Sequence, residues 1–328
     1  MKSVPTTTNS AADKIDRLDN DFDDMRKKME GLLSNVLSSP GLKSNLSGAS
    51  LANVQLVIVP CLELSSWPLE ALDVFSRAKS VSRDFSIHMF HHRLHAQNNA
   101  PIKDACVRFI SDPKGENSGS SELEPGMDIR PSIDDVIGQL QSKSKWKGLK
   151  GQDHIPSQNE WQKSLMGERN DEDSSDCCFL FYGLERFLAY AGIETIAGLH
   201  TSKCGAAILV DRAANDVSYR RQSKLDNQKD TEILRLEDSL GTAAILSMSG
   251  VNTIVQNQWA NSMWANKMLI SNLFGALRGS KAKSIGEAVG SALQRSPAGG
   301  EDSQQEGEMK SRVKFNTVVY GLPNASWA

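Results

Sequence analysis

Apolar residues along the chain fall into short, nearly continuous runs that end abruptly in polar residues, Gly or Pro. Runs of this length, rich in β-branched side chains, are typical of buried strands. Seven such runs stand in the sequence, at 51–60, 85–90, 106–113, 177–183, 204–210, 251–259 and 313–323. We therefore expect a sheet whose central strands are apolar on both faces.

The segments between these runs have helical spacing and helix-end signals. Ser157 and Glu160 stand in capping-box spacing, and Gly250 is placed to end a helix. Helices are predicted at 67–78, 132–140, 157–165, 233–250, 265–279 and 284–294, while 184–198 fits either a helix or irregular chain. Strands that alternate with helices predict one α/β domain over 51–323. Its mostly parallel sheet would have about six strands, with helices on both faces.

The segment over 13–37 precedes this domain and carries apolar residues spaced alternately three and four apart, from Ile15 to Val36. The spacing predicts an amphipathic helix with an a/d seam of about three heptads. Two interpretations remain open: the seam packs on the domain's own core, or it forms a coiled coil with a partner. The helix and its linker are assigned to 13–48, and the polar residues 1–12 are expected to be disordered.

Composition points to unstructured insertions. Hydrophobic residues make up 39% of the chain and aromatic residues 6%, which is low for a compact globule. We attribute the low apolar content to polar, unstructured segments rather than to a uniformly weak core. Disordered insertions are predicted at about 115–128, 167–176, 212–232 and 295–312.

Charge and missing motifs argue against several functions. A net charge of −3 gives no electrostatic case for nucleic acid or an anionic membrane as a partner. No apolar stretch reaches the ~18 residues of a membrane span, and the amino-terminal residues lack the apolar core of a secretory signal. Phosphate-binding loops and dinucleotide fingerprints are absent, so no cofactor is predicted. The histidines over 88–95 lack neighbouring ligands of other types and are interpreted as surface residues, not a metal site.

The cysteines favour a reducing compartment. Five of them stand at irregular spacings without a CxxC pair, which is typical of free thiols in the cytoplasm. Cys177, Cys178 and Cys204 begin predicted strands and are interpreted as buried thiols without a role in catalysis.

Several segments of the chain resemble those of a known family. The segments LVIVPCLELSSWPLEALDVF, FISDPKGEN, WKGLKGQDHIPSQNEW, SGVNTIVQNQWA and FNTVVYGLP occur in the order found in the CHAT and separase branch of the caspase-like peptidases. The resemblance covers about 270 residues of the chain. It implies a caspase-like fold, with a catalytic His after one central strand and a catalytic Cys after the next.

The reactive residues of that family are replaced here. The resemblance places Leu184 at the His position and Arg212 at the Cys position, and Glu185 replaces a Gly of the His turn. Leu cannot accept a proton, and Arg cannot attack a carbonyl. This predicts a degenerate domain without catalysis. The alternative is a cysteine endopeptidase of the caspase or separase type with a displaced dyad, for which Cys61 would be the best-placed thiol.

Within the family, the run LVDRAANDVSYRRQSKLDNQK together with LSMSGVNTIVQNQW most resembles the carboxyl-terminal region of large TPR-bearing cilia- and flagella-associated proteins of the axonemal central apparatus. This implies a scaffold in the cytoskeleton of the cilium that contributes to cilium movement. Its partners would be other central-apparatus scaffold proteins, with microtubule association left open. Arg220, Arg221 and Lys224 form a basic cluster, interpreted either as part of a solvated loop or as a docking surface for an acidic partner.

Overall fold

The computed structural model describes most of the predicted domain. The described residues are 11–37, 54–72, 75, 78–96, 101–114, 133–150, 156–166, 176–212, 216–279, 284–294 and 315–328. The insertions expected at 115–128 and 295–312, and residues 1–10 of the amino-terminal segment, lie outside these ranges. So do residues 38–48 of the predicted linker and 167–175 of the acidic insertion.

An eight-stranded sheet forms the centre of the domain. Its strands are β1 (Gln55–Ile58), β2 (Ser80–Arg83), β3 (Val107–Ser111), β4 (Lys147–Lys150), β5 (Cys177–Tyr182), β6 (Cys204–Val210), β7 (Thr253–Asn257) and β8 (Thr317–Gly321). They lie in the order β1-β2-β8-β7-β6-β5-β3-β4. The α/β class and the mostly parallel sheet are confirmed, whereas the expected number of about six strands was too low.

Strand direction divides the sheet into two groups. The β7–β8 pair is antiparallel, and every other neighbouring pair is parallel. Strands β1, β2 and β8 therefore run opposite to β3 through β7. We call the edge at which β3 through β7 end the upper edge, and the opposite edge the lower edge.

Helices cover both faces of the sheet. The described helices are α1 (Ala11–Leu37), α2 (Ile87–Ala96), α3 (Ile133–Lys143), α4 (Gln158–Met166), α5 (Phe187–Ala191), α6 (Ile193–Ala197), α7 (Asp216–Asp226), α8 (Thr231–Glu237), α9 (Ser239–Met248), α10 (Met263–Arg278) and α11 (Ile285–Gln294). In the described part of the chain, no helix combines the length and the apolarity needed to cross a membrane.

Two apolar layers hold the sheet between these helices. On one face, α3, α10 and α11 pack against alternate residues of the central strands, such as Leu180 and Ile208. On the other face, α4, α5, α6 and α9 pack against the residues in between, such as Phe179 and Leu209. Strands β5 and β6 are buried along their whole length, as expected for central strands of a parallel sheet covered on both sides.

Several predicted elements differ in the structure. The single helix expected at 233–250 is divided at Asp238 into α8 and α9. The run at 85–90, predicted as a strand, lies mostly in α2, because the Ser86 hydroxyl accepts a hydrogen bond from the Met89 amide over 3.1 Å and caps the helix. The start of the helix expected at 67–78 is a short 3-10 turn at Leu69–Ala71, and residues 73, 74, 76 and 77 lie outside the described ranges. The disordered loop expected at 212–232 contains helix α7.

Helix α1 contacts the domain along part of its seam. Phe22 stacks on Phe315 with ring centroids 5.4 Å apart, and Met29 is buried in a cluster with Leu69 and Leu72. Met25, between these two residues in the seam, and Leu32, after Met29, are exposed. The seam is therefore divided, with Phe22 and Met29 on the domain and Met25 and Leu32 facing outward.

Candidate functional site

The ends of β5 and β6 lie side by side at the upper edge. Tyr182 pairs with Val210 in the sheet, and the Gly183 amide donates a hydrogen bond to the Val210 carbonyl over 3.2 Å. One turn further, the Arg212 amide lies 3.5 Å from the Glu185 carbonyl and donates to it. The two strand ends at which the sequence resemblance predicts the His and Cys positions are therefore neighbours in this chain.

Leu184, which the sequence resemblance predicts at a His position, is a buried apolar side chain. Gly183, the residue before it, leaves little space for a side chain, because a Cβ at this position would lie 2.6 Å from Cζ of Phe181. A hydrocarbon in this place can neither accept nor donate a proton. The first of the two positions is therefore closed to acid–base chemistry.

Arg212, which the sequence resemblance predicts at a Cys position, holds three segments together. Its Nη1 donates to the Gln258 carbonyl over 2.9 Å, and its Nη2 donates to the Glu237 carbonyl over 3.0 Å. These bonds join the end of β6 to the end of β7 and to the last turn of α8. The backbone of Arg212 has a φ of +60°, which is uncommon for a residue other than Gly. The contacts of its side chain oppose the cost of that conformation.

Asp211, next to Arg212, organises the turn after β5. Its Oδ2 accepts a hydrogen bond from the Phe187 amide over 2.9 Å, which caps the first turn of α5. Burial raises the pKa of Asp211 above its usual value, and the nearby Arg212 acts in the opposite direction. A buried acid at a strand end can mark an active site, but this carboxyl is already occupied by the cap.

Glu185 is a buried carboxylate that is held by cations from two other elements. Its side chain is 1% exposed and accepts a hydrogen bond from Lys114 Nζ over 3.0 Å. Arg221 of α7 pairs with the other carboxylate oxygen through its Nε. Lys114 also lies over the ring of Tyr190, 4.9 Å from its centroid. A charge buried to this degree requires such partners.

A second set of ion pairs lies beside the first. Arg186 Nε donates to Glu237 Oε2 over 3.1 Å, and its Nη2 pairs with Asp226. Lys229 pairs with the other oxygen of Glu237. We call the polar residues that join the upper strand ends to α7 and α8 the edge network. Its members are Lys114, Glu185, Arg186, Asp211, Arg212, Arg221, Asp226, Lys229 and Glu237.

All the thiols of the chain lie at the lower edge. Cys106 directly precedes β3, and Cys177, Cys178 and Cys204 begin β5 and β6. Cys61 follows β1, which runs opposite to β5 and β6, so its strand also ends at the lower edge. The expectation that Cys61 could approach the ends of β5 and β6 is therefore wrong.

The described histidines lie at the lower edge as well. Helix α2 carries four of them, His88, His91, His92 and His95, and its Arg93 donates to the Val251 carbonyl, just before β7, over 2.8 Å. His200 precedes β6, and His154 lies outside the described residues. Within the described ranges, no group of three or more His, Cys, Asp or Glu side chains is arranged to hold a metal ion.

The basic cluster at 220–224 lies on helix α7, where its members have different environments. Arg220 and Lys224 are exposed and one helical turn apart. Arg221 points to the domain instead and pairs with Glu185. A surface for an acidic partner could therefore use Arg220 and Lys224, while Arg221 contributes to the edge network.

Several residues of the edge network were not predicted as site residues. Glu185 stood out only as a bulky replacement for Gly, and Arg186, Glu237 and Lys114 were not identified. One signal was available, since Glu185 and Arg186 directly follow a strand that is apolar throughout. Their partners come from segments 36 to 71 residues away along the chain, so sequence spacing could not reveal them.

Comparisons with known proteins identify the fold. No protein-family profile matches the chain. Two structures of the Saccharomyces cerevisiae separase–securin complex are similar to it, with TM-scores of 0.55 and 0.54 at 16% and 15% identity. The similarity covers 82% of this chain in both cases, and 15% and 16% of the other chain. The chain thus has a separase-like fold and spans about one sixth of the length of those proteins.

Proposed function

We propose that this chain is a non-catalytic, separase-like interaction domain, a pseudopeptidase that serves as a scaffold. The observation that carries the proposal is Arg212. At the strand end where the family has its nucleophile, this guanidinium is bonded to two backbone carbonyls and holds β7 and α8 in place.

The edge network supports the same proposal. Peptide cleavage by a thiol requires a thiolate and a proton acceptor within hydrogen-bond reach of one another. The described upper edge instead holds Leu184 and a set of mutually paired charges, and all the cysteines lie at the opposite edge. Side chains that are fully engaged with one another stabilise a surface rather than react with a substrate.

The cellular role is proposed from the sequence resemblance. We propose that the domain belongs to the central apparatus of the ciliary axoneme and contributes to cilium movement by binding other scaffold proteins there. Arg220 and Lys224, exposed on the outer side of α7, are proposed to contact an acidic surface of such a partner. Neither nucleic acid nor a membrane is proposed as a partner.

A thiol-directed peptide probe tests the absence of catalysis. The folded protein is incubated with a panel of peptidyl chloromethyl ketones, and labelled cysteines are identified by mass spectrometry. We expect labelling only at the exposed Cys61, at a rate that does not depend on the peptide sequence. Rapid, sequence-selective labelling of one cysteine would overturn the proposal and favour a displaced dyad, especially if it were lost when that cysteine is replaced by Ser.

Electron microscopy of axonemes tests the cellular role. In cells that lack the gene, we expect central-pair projections to be missing and beating to be impaired. In a rescue experiment, the variant Arg220→Ser/Lys224→Ser should fold but should not restore the projections. Intact projections with normal beating in the deletion strain would contradict the ciliary assignment while leaving the fold and the probe experiment untouched.

A further inference from the structure

Two cysteines face each other at the lower edge of the sheet, away from the edge network. Cys177 begins β5 and Cys204 begins β6, and the two residues are direct partners in the parallel pairing of these strands. Neighbouring strands lie about 4.8 Å apart. Disulfides join Cα atoms that are roughly 4.4 to 6.8 Å apart, so the sheet already holds the two backbones at a suitable distance.

An irregularity in the sheet turns both side chains to the same face. The register shifts after the first pair, so that Cys178 is opposite Ala206 and Gly205 has no partner across β5. Cys204 consequently packs in the apolar layer of α4, α5, α6 and α9, although Ala206, two residues later, packs in the other layer. Cys177 precedes Cys178, which belongs to that other layer, so alternation along β5 directs Cys177 to the face of Cys204.

The surroundings distinguish the two thiols. The neighbouring Cys204 thiol lowers the pKa of Cys177, burial acts in the opposite direction, and the nearby Arg108 lowers the pKa further. The Cys177 thiol, together with burial, raises the pKa of Cys204. Cys177 Sγ donates to the Lys203 carbonyl and Cys204 Sγ to the Ala206 carbonyl, each over 3.3 Å. Cys177 is also the more accessible of the two, with 7% of its surface exposed against 0% for Cys204. These differences give Cys177 more thiolate character, and the thiolate is the reactive form.

We propose that Cys177 and Cys204 form a reversible disulfide across β5 and β6, and that this pair is an oxidation site for hydroperoxides. The disulfide would tie the two central strands together at their lower ends. Cys178 is excluded from the bond because it belongs to the layer on the other face of the sheet.

The reaction proceeds in two balanced steps. The Cys177 thiolate attacks one oxygen of hydrogen peroxide, the O–O bond breaks, and Cys177 becomes a sulfenic acid while the second oxygen leaves as hydroxide, which takes up the proton released when Cys177 ionised and becomes water. Cys204 Sγ then attacks Cys177 Sγ, the S–O bond breaks, and the hydroxide leaves with the Cys204 proton as water. Two electrons pass from the thiol pair to the peroxide. A small-molecule dithiol reverses the bond by exchange.

Mass spectrometry of tryptic peptides tests the proposal. The folded, reduced protein is treated with hydrogen peroxide, remaining thiols are blocked with N-ethylmaleimide, and the protein is digested without reductant. Cys177 and Cys204 fall in the peptides 170–186 and 204–212. We expect a linked pair of these peptides that is absent after dithiothreitol and has the mass of their sum less two hydrogens plus one N-ethylmaleimide on Cys178. Fragment ions of the wild-type pair should place the bond at Cys177 rather than Cys178.

Three variants provide the controls, each checked for folding by its thermal unfolding transition. The link should persist in Cys178→Ala and disappear in Cys177→Ala and in Cys204→Ala. A link through Cys178, or one that forms only after unfolding in urea, would overturn the proposal. So would its absence at a peroxide dose that oxidises the exposed Cys61. Because the fragment ions come from the wild-type protein, the test holds even if a variant fails to fold.

Discussion

Removing the two cations that surround Glu185 is predicted to cost more stability than removing Glu185 itself. The carboxylate is 1% exposed, whereas the side chains of Lys114 and Arg221 are 26% and 32% exposed. In Lys114→Met/Arg221→Met the carboxylate would stay buried without a charged partner, at a cost of about 3 to 5 kcal/mol. In Glu185→Gln the cations can turn to water, so we expect only about 1 to 2 kcal/mol.

Urea unfolding followed by circular dichroism measures these differences. The matched control is Arg220→Met, which removes an exposed charge one residue from Arg221 and should change stability by less than about 0.5 kcal/mol. Adding Glu185→Gln to the double variant should recover part of the loss, because it removes the unpaired charge. The reasoning is refuted if Glu185→Gln costs more than the loss of both cations, or if the triple variant is less stable than the double.

Three further predictions concern other parts of the domain. Burial raises the pKa of Asp176 to about 6, so between about pH 4 and 6 the folded state binds a proton that the unfolded state does not. The free energy of unfolding should therefore fall as the pH rises through that range. Unfolding curves taken at several pH values should show this slope in the wild-type protein and not in Asp176→Asn. Met29→Ala should cost about 2 to 4 kcal/mol in urea unfolding, whereas the exposed Leu32→Ala should cost less than about 0.5, and equal losses would contradict the packing of α1. Gly321→Ala should prevent folding or strongly reduce the soluble yield. The φ of Gly321 is +84°, and a Cβ there would lie 2.1 Å from the Asn252 carbonyl oxygen. A normal thermal transition in this variant would contradict the prediction and show that the backbone around Gly321 can rearrange.

The apolar central strands could be predicted from the sequence, and the short polar ones could not. Strands β5 and β6 are continuous apolar runs because both of their faces are buried. Strand β4 reads Lys-Gly-Leu-Lys and lies at the sheet edge, mostly exposed, so its residues carry no apolar signal. Strand β2 is polar as well, yet Arg83 at its end is buried because Glu70 and two backbone carbonyls bind it. Those partners come from tertiary contacts that no local pattern encodes.

The candidate site, too, could be predicted from the sequence only in part. That the strand ends of Leu184 and Arg212 would meet followed from the order of parallel strands, together with a family resemblance. What the residues do there depended on distant partners: the carbonyls of Glu237 and Gln258 for Arg212, and a helix at 216–226 that was expected to be a loop. Helix α7 escaped prediction because its sequence is strongly polar, and its described ion pairs with the domain are made by Arg221 and Asp226.

The position of β8 in the sheet has a consequence for how the chain acquires its structure during synthesis. This strand follows all the other described strands in sequence, yet it lies between β2 and β7 and, among the described strands, joins the β1–β2 pair to the five strands β3 to β7. On the ribosome, the β1–β2 pair therefore cannot be incorporated into one sheet with β3 to β7 until residues 317–321 have been synthesised. Until then, β2 and β7 both present unpaired edges, which are templates for intermolecular association. We expect chaperone dependence to be greatest in this interval, and ribosome-bound chains stalled before β8 should show more association than chains stalled after it.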